Sequence, residues 1–332
     1  MKRIFSAFFA LTIIASLLCR NVAPTKAEAA KQLSIVTTIF PEYDWVRQIL
    51  GDKFSDSDVT MLLDNGVDLH SYQPTVDDIV KIATCDLFIY VGGESDSWVE
   101  DALKHSVNKD MKVINLLEVL GDSVKAEETV EGMQETAHDH DEDDEDDDHE
   151  EHEEEKDEHV WLSLKNAKVL CDAISKALQE LDPDSKDIYA ANAEAYEKQL
   201  SALDEKYQEA VDNAAYKTLL FGDRFPFRYL TDDYGLRYYA AFSGCSAESE
   251  ASFDTIHFLA KKLDELELPC ILTIEGAKHR IAQTIVENTA KKNQTILSID
   301  SMQSTTSKDV AQGTTYLSVM EKNLDVLTDA LG

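Results

Sequence analysis

Three observations in the sequence predict an α/β protein of two lobes, each with a roughly four-stranded, mostly parallel sheet, joined by one long helix. First, short β-branched and aliphatic runs alternate with helical patterns over residues 32–117 and again over 215–332, the rhythm of parallel sheets with crossover helices. Second, residues 185–214 form one uninterrupted charged, amphipathic stretch whose apolar positions (Tyr189, Ala193, Tyr196, Leu200, Leu203, Tyr207) recur at helical spacing. At about thirty residues this stretch spans roughly 45 Å, wider than one lobe, so it is expected to act as a strut between two. Third, the 332-residue chain is 43% hydrophobic, enough for two cores.

The leader comes first. Met1-Lys2-Arg3 and the mainly apolar run from Ile4 to Leu18 read as a secretory signal over residues 1–29, too short and one-sided for a membrane span. Ala27-Glu28-Ala29 has the small-x-small pattern of a cleavage site. Cys19 offers a competing exit as a lipid-anchored cysteine, but Leu18 before it is not small, so simple cleavage is favoured. On either reading the mature chain is exported, to the periplasm or the outer face of the membrane.

In the N-terminal lobe, residues 30–117, strands are expected at 33–38, 59–63, 86–91 and 112–115, with helices at 42–50, 75–83 and 97–105. Gly51 ends the first helix, Asp64-Asn65-Gly66 turns the chain out of the second strand, and Thr75 with Asp78 has the spacing of a capping box. Residues 118–158 read as a long polar surface loop. Ser163 caps a helix to about Leu181 that completes this lobe over 159–184, and Asp182-Pro183 punctuates before the strut at 185–214. In the C-terminal lobe, 215–332, strands are expected at 218–221, 237–242, 270–274 and 295–299, with helices at 225–233, 253–266, 278–290 and 314–331.

A net charge of −34 argues against nucleic acid or an anionic membrane surface as partner and favours cations. The run from His138 to Trp161 holds five of the nine histidines and sixteen acidic residues against one lysine, so it carries about 15 of those negative charges. Such a segment has almost nothing apolar to offset the entropy of ordering it. A run of Asp and Glu alone would be a solubilising spacer. With His138, His140, His149 and His152 interleaved, it is suited to hold divalent cations loosely. The four cysteines after the leader show no CxxC spacing, which argues against a thiolate zinc site and a disulfide scaffold. Cys85 and Cys171 are expected in the core, and Cys245 with Cys270 is the pair able to form a disulfide.

In open α/β sheets ligands collect beyond the carboxyl ends of the strands. His70 follows the turn after the second strand, Glu275 and Asp300 directly follow the strands at 270–274 and 295–299, and His159 closes the acidic loop. Two imidazoles and two carboxylates suit zinc, or manganese where carboxylates dominate, and the absence of a nearby cysteine disfavours copper(I) and iron–sulfur chemistry. Taken singly, His70 reads as a surface histidine and Glu275 or Asp300 as a helix cap.

Asp68-Leu69-His70-Ser71-Tyr72-Gln73-Pro74-Thr75 and Asp157-Glu158-His159-Val160-Trp161-Leu162 resemble two signature stretches of the zinc/manganese-type solute-binding proteins of ABC transporters. Gly313-Thr314-Thr315-Tyr316 with Met320-Glu321-Lys322-Asn323 resembles that family's C-terminal end, so the resemblance covers the chain from about Gln32. It implies two α/β lobes on a rigid linking helix, a metal held between them, and a His- and acid-rich loop just before the second ligand histidine. It further implies Zn²⁺ as cargo, with Mn²⁺ as the alternative, and delivery to an ABC permease. By position, His70 and His159 match the first two ligands and Asp300 a carboxylate ligand, with Glu275 near it. The third ligand, a His or Glu ahead of Tyr-Gly-Leu (here Tyr234-Gly235-Leu236), falls on Arg224, which cannot coordinate a cation. Asp223 is the expected substitute, or Arg224 pairs with one of the carboxylates. The chain is expected to work as a monomer and not as an enzyme. A zinc-dependent hydrolase is the reading from another class, but neither an HExxH motif nor a nucleophile elbow is present.

Overall fold

The computed structural model describes residues 32–134, 155–246, 250–276 and 278–332. The leader with Cys19 and its cleavage site, and His138, His140, His149 and His152, lie outside the described residues. In the first lobe β1 (Ser34–Thr37), β2 (Asp58–Met61), β3 (Leu87–Tyr90) and β4 (Lys112–Asn115) pair in parallel in the order β2-β1-β3-β4. Between and after them run α1 (Phe40–Leu50), α2 (Val76–Thr84), α3 (Val99–Lys104) and α4 (Leu116–Leu120). Leu87, Phe88 and Ile89 are all buried, as a central strand covered on both faces requires. The capping box forms as its spacing predicts: Asp78 N donates to Thr75 Oγ1 at 3.2 Å and Thr75 N to Asp78 Oδ2 at 2.9 Å.

Next comes α5 (Leu164–Leu181), capped by Ser163, whose Oγ accepts from Asn166 N at 3.0 Å. It packs along α6 (Lys186–Asn213), the long helix. With 28 residues α6 is about 42 Å long. Its buried stripe is the set that periodicity picks out, with Val211 added. Near its start Asn192 Nδ2 donates to Ile49 O at 3.0 Å, and near its end Tyr207 OH donates to Met320 O at 2.6 Å. One helix therefore braces both lobes.

The second lobe repeats the plan. β5 (Thr218–Phe225), β6 (Arg237–Ser243), β7 (Cys270–Thr273) and β8 (Thr295–Ser298) are parallel in the order β6-β5-β7-β8. Its helices are α7 (Arg228–Tyr234), α8 (Phe253–Glu265), α9 (Arg280–Glu287), α10 (Ser307–Ala311) and α11 (Tyr316–Leu331). The two lobes meet through buried polar contacts. Tyr316 OH donates to Trp161 O at 2.7 Å, Tyr316 N to Asp44 Oδ2 at 2.9 Å, and Trp161 Nε1 to Ser301 O at 2.9 Å. Among the described residues no helix is long and apolar enough to cross a membrane.

Three expectations need correction. β5 runs on to Phe225 instead of ending at Phe221, because Arg224 and Phe225 pair with Phe242 and Ser243 of β6 after a register shift. Cys245 and Cys270 are both free. Cys270 opens β7, Cys245 lies just past the end of β6, and β5 separates those strands, so in this parallel sheet the two thiols sit at opposite ends. The described parts of 118–158 are also not a free loop. Ala126 and Lys156 form an antiparallel bridge, and the limb to residue 134 lies on the second lobe, where Gln134 N donates to Ala241 O at 3.0 Å and Tyr238 OH to Glu128 Oε2 at 3.0 Å. Its polar composition hid the Ala126–Lys156 bridge and the Gln134–Ala241 bond, which are made by backbone.

Candidate metal centre

After β2 the chain turns through Asp64-Asn65-Gly66 into one helical turn, Leu69–Ser71, capped by Asp68, whose Oδ1 accepts from His70 N at 3.1 Å. The His70 Nδ1 is held by Ser95 Oγ at 2.7 Å and lies 3.5 Å from Glu158 Oε2. At the end of the acidic run, Asp157 Oδ1 accepts from His159 N at 2.9 Å and stands 3.0 Å from His159 Nδ1. With both Nδ1 atoms tied, the two Nε2 atoms face each other 3.2 Å apart. Zinc–nitrogen bonds of about 2.0–2.1 Å at tetrahedral angles put two ligand nitrogens about 3.3 Å apart. The imidazoles already stand at the spacing that one cation demands, each oriented through its other nitrogen.

Electrostatics keep the His70 imidazole neutral. Burial, then His159 beside it, press its pKa down to about 3, and Arg224 acts in the same direction. Burial pushes the Glu158 carboxyl above its ordinary range, although Ser95 donates to its Oε1 at 2.9 Å. Its buried Oε2 has no hydrogen-bond partner among the described residues. The Trp161 ring packs against His159 with centroids 5.3 Å apart, so the signature tryptophan joins the imidazole to the lobe junction.

On the second lobe the register shift in β5 brings Arg224 to the cleft, where its Nη2 donates to Asp68 Oδ2 at 2.6 Å. Burial would raise the Asp68 carboxyl, but the charge and hydrogen bond of Arg224 hold it below its ordinary value. Arg224 therefore pairs with a carboxylate, though with Asp68 and not with the candidates Asp223, Glu275 or Asp300. Asp223 Oδ1 accepts from Arg224 N at 2.9 Å. Glu275 accepts from Ser301 N at 2.7 Å, Ser301 Oγ at 2.8 Å and Gln303 N at 3.2 Å, so it holds the turn after β8. Asp300 Oδ1 accepts from Met302 N at 2.7 Å, and Asn323 clamps its backbone from both sides at 2.8 and 2.7 Å. Burial, then the Glu275 charge, push the Asp300 carboxyl up to about 6.

Among the described residues the group that brings three ligating atoms within 4.8 Å of one another is His70, His159 and Cys245. The three carboxylates are not in it. Cys245, set aside in the sequence as half of a disulfide, lies just past β6, and the strand-end rule that selects Glu275 and Asp300 would have found it. Burial, then Glu127, Glu158 and Asp157, raise its thiol pKa. A cavity of about 780 Å³ opens beside the group, lined by His70, Ser95, Glu127, Glu155, Glu158 and Cys245 among others.

Known proteins share this architecture. The chain is 31% identical over 327 residues to the zinc-binding lipoprotein AdcA of Streptococcus pneumoniae, a match covering 98% of this chain and 60% of the relative. It thus spans about three fifths of that relative's length. It is 30% identical to the high-affinity zinc uptake system protein ZnuA of Bacillus subtilis, covering 94% of this chain and 92% of the relative. The crystal structure of the Zn(II)-bound ZnuA-like domain of Streptococcus pneumoniae AdcA superposes with a TM-score of 0.68 at 29% identity, covering 91% of this chain and 99% of that one. Residues 35–330 match the family model described as zinc-uptake complex component A, periplasmic, and the chain belongs to that family, one of solute-binding uptake components and not of enzymes.

Proposed function

We propose that this chain captures Zn²⁺ outside the cytoplasm and delivers it to an ABC permease, with His70 and His159 as ligands from the first lobe. The observation that carries the reading is the pair of imidazole Nε2 atoms 3.2 Å apart with both Nδ1 atoms anchored. The relatives named for zinc binding and zinc uptake support the same cargo. Asp223, Glu275 and Asp300 act in this reading by shaping the second lobe's wall, since each accepts from backbone amides. His138, His140, His149 and His152 gather zinc more loosely ahead of the site, because the acidic run re-enters the described structure at Glu155, in the cavity wall beside His70.

Calorimetric titration of the full chain with Zn²⁺ should show one tight site that His159→Ala removes. A chain that binds no zinc, or a folded His159→Ala variant that binds it undiminished, overturns the reading. In a strain lacking the chain, growth in chelated medium should return with the wild type and not with His159→Ala. Deleting 138–152 should leave the tight site intact and lower both the total zinc bound and uptake at limiting zinc. No change in either would remove the loop from the account.

A further inference from the structure

One metal-binding side chain at the cleft falls outside the pattern that the resemblance implies. The Cys245 Sγ lies with a ring nitrogen of His70 and one of His159, all three within 4.8 Å of one another. Two features of its turn put it there. Gly244 approaches the imidazole so closely that a Cβ on it would stand 2.9 Å from His159 Cε1 and 2.9 Å from Phe225 O, so a residue without a side chain is what lets this backbone reach the ring. The Cys245 amide donates to Glu127 Oε1 at 3.0 Å, which fixes the turn from the limb that crosses between the lobes. Meanwhile the position at which a third imidazole or carboxylate is expected holds Arg224. Its guanidinium pairs with Asp68 and reaches the Ser246 carbonyl, next to Cys245, at 3.5 Å.

We propose that Cys245 is the third protein ligand, so that the site holds its cation with two imidazoles and one thiolate and thereby prefers zinc to manganese. The inference rests on the reading of the chain as a zinc binder and names the ligand that completes it. On binding, the thiol proton leaves to solvent and a sulfur lone pair joins the cation, with no change of oxidation state. Zinc takes nitrogen and thiolate ligands together, whereas Mn²⁺, a harder cation, favours carboxylate and water. With zinc–nitrogen bonds of about 2.05 Å and a zinc–sulfur bond of about 2.3 Å, ligand nitrogen and sulfur stand about 3.6 Å apart. Closure from the present group is therefore a movement of about an ångström, within reach of a turn or side-chain shift. The adjoining cavity leaves a fourth position to water, as sites with three protein ligands do.

The test loads the full chain with Co²⁺ in place of zinc. Wild type should show a sulfur-to-cobalt charge-transfer band in the near ultraviolet, and Cys245→Ser, which keeps Cys85, Cys171 and Cys270, should lose it. Zinc should shield Cys245 of the folded wild type from alkylation by iodoacetamide. Cys245→Ser should weaken zinc more than the roughly 10–100-fold that losing an outer partner costs, while Mn²⁺ binding does not weaken. The wild-type band needs no variant, so misfolding of Cys245→Ser cannot mask the answer. Cobalt binding without the band, or alkylation that zinc does not slow, overturns the sulfur ligand while zinc capture stands. A full chain that binds neither zinc nor cobalt overturns both.

Discussion

On the first lobe's side of the cleft, each imidazole is held through Nδ1 by a neighbouring side chain, Ser95 for His70 and Asp157 for His159. On the second lobe's side, the charged groups are engaged elsewhere: Arg224 with Asp68, Glu275 with the amides of the turn after β8, and Asp300 with Met302 N. What that wall turns toward the imidazoles is Cys245. One half of the cleft thus has two anchored imidazoles 3.2 Å apart, and the other half departs from the ligand pattern that the resemblance implies. If the proposed ligands hold, the difference places the choice of metal on the second lobe and the ability to bind at all on the first.

The contrast is broken or sharpened most strongly by paired carboxylate variants. Asp157→Ala removes both the cap on the His159 amide and the partner of its Nδ1, and should weaken zinc about 10–100-fold. Asp300→Asn keeps shape and the acceptor for Met302 N, and should change zinc affinity by well under the tenfold typical of an outer partner. Titration of both variants under one buffer decides the matter. If Asp300→Asn costs as much as Asp157→Ala, the carboxylate wall takes part in binding and the comparison fails.

How much of this could be read beforehand follows the same division. Sheet order aside, the alternation of strands and helices, the stripe on α6, the Thr75–Asp78 cap and the Ser163 cap are all local in sequence, and all stand as expected. The choice of His70 and His159 as candidates rested on chemistry and position that are local too, and the fold brings their Nε2 atoms within 3.2 Å. Cys245 falls under the same strand-end rule, but its closeness to the imidazoles was not legible, since it depends on Gly244 admitting the backbone to a ring 85 positions earlier in the chain, at His159. The bonds that Glu275 accepts from the amides of Ser301 and Gln303 were not legible either, because those residues lie 26 and 28 positions further along the chain. β5 extends through Gly222-Asp223-Arg224 although those residues lack strand character, because pairing with β6 overrides local preference. The crossing limb at 124–134 was hidden for a like reason, its bridge joining Ala126 to Lys156 across the acidic run.

The smallest expected effect compares how the two sides answer acid in the metal-free chain. Folded His70 holds its pKa down at about 3, against about 6.5 when unfolded. Between those values the unfolded chain binds the extra proton, so this group's contribution to stability is lost as pH falls below about 6.5. Asp300 runs the other way. Its folded value is about 6 against 3.8 for the free carboxyl, so the folded chain binds the extra proton in that window and gains stability as pH falls through it. At about 1.4 kcal/mol per pH unit per proton, going from pH 7 to pH 5 should favour His70→Asn over wild type by up to about 2 kcal/mol. The same change should disfavour Asp300→Asn by roughly 1 kcal/mol. Urea unfolding of the chelated proteins at the two pH values measures both. Opposite signs would show that the fold keeps His70 neutral and lets Asp300 take up a proton in mild acid, whereas two variants that track wild type would remove the electrostatic half of the contrast.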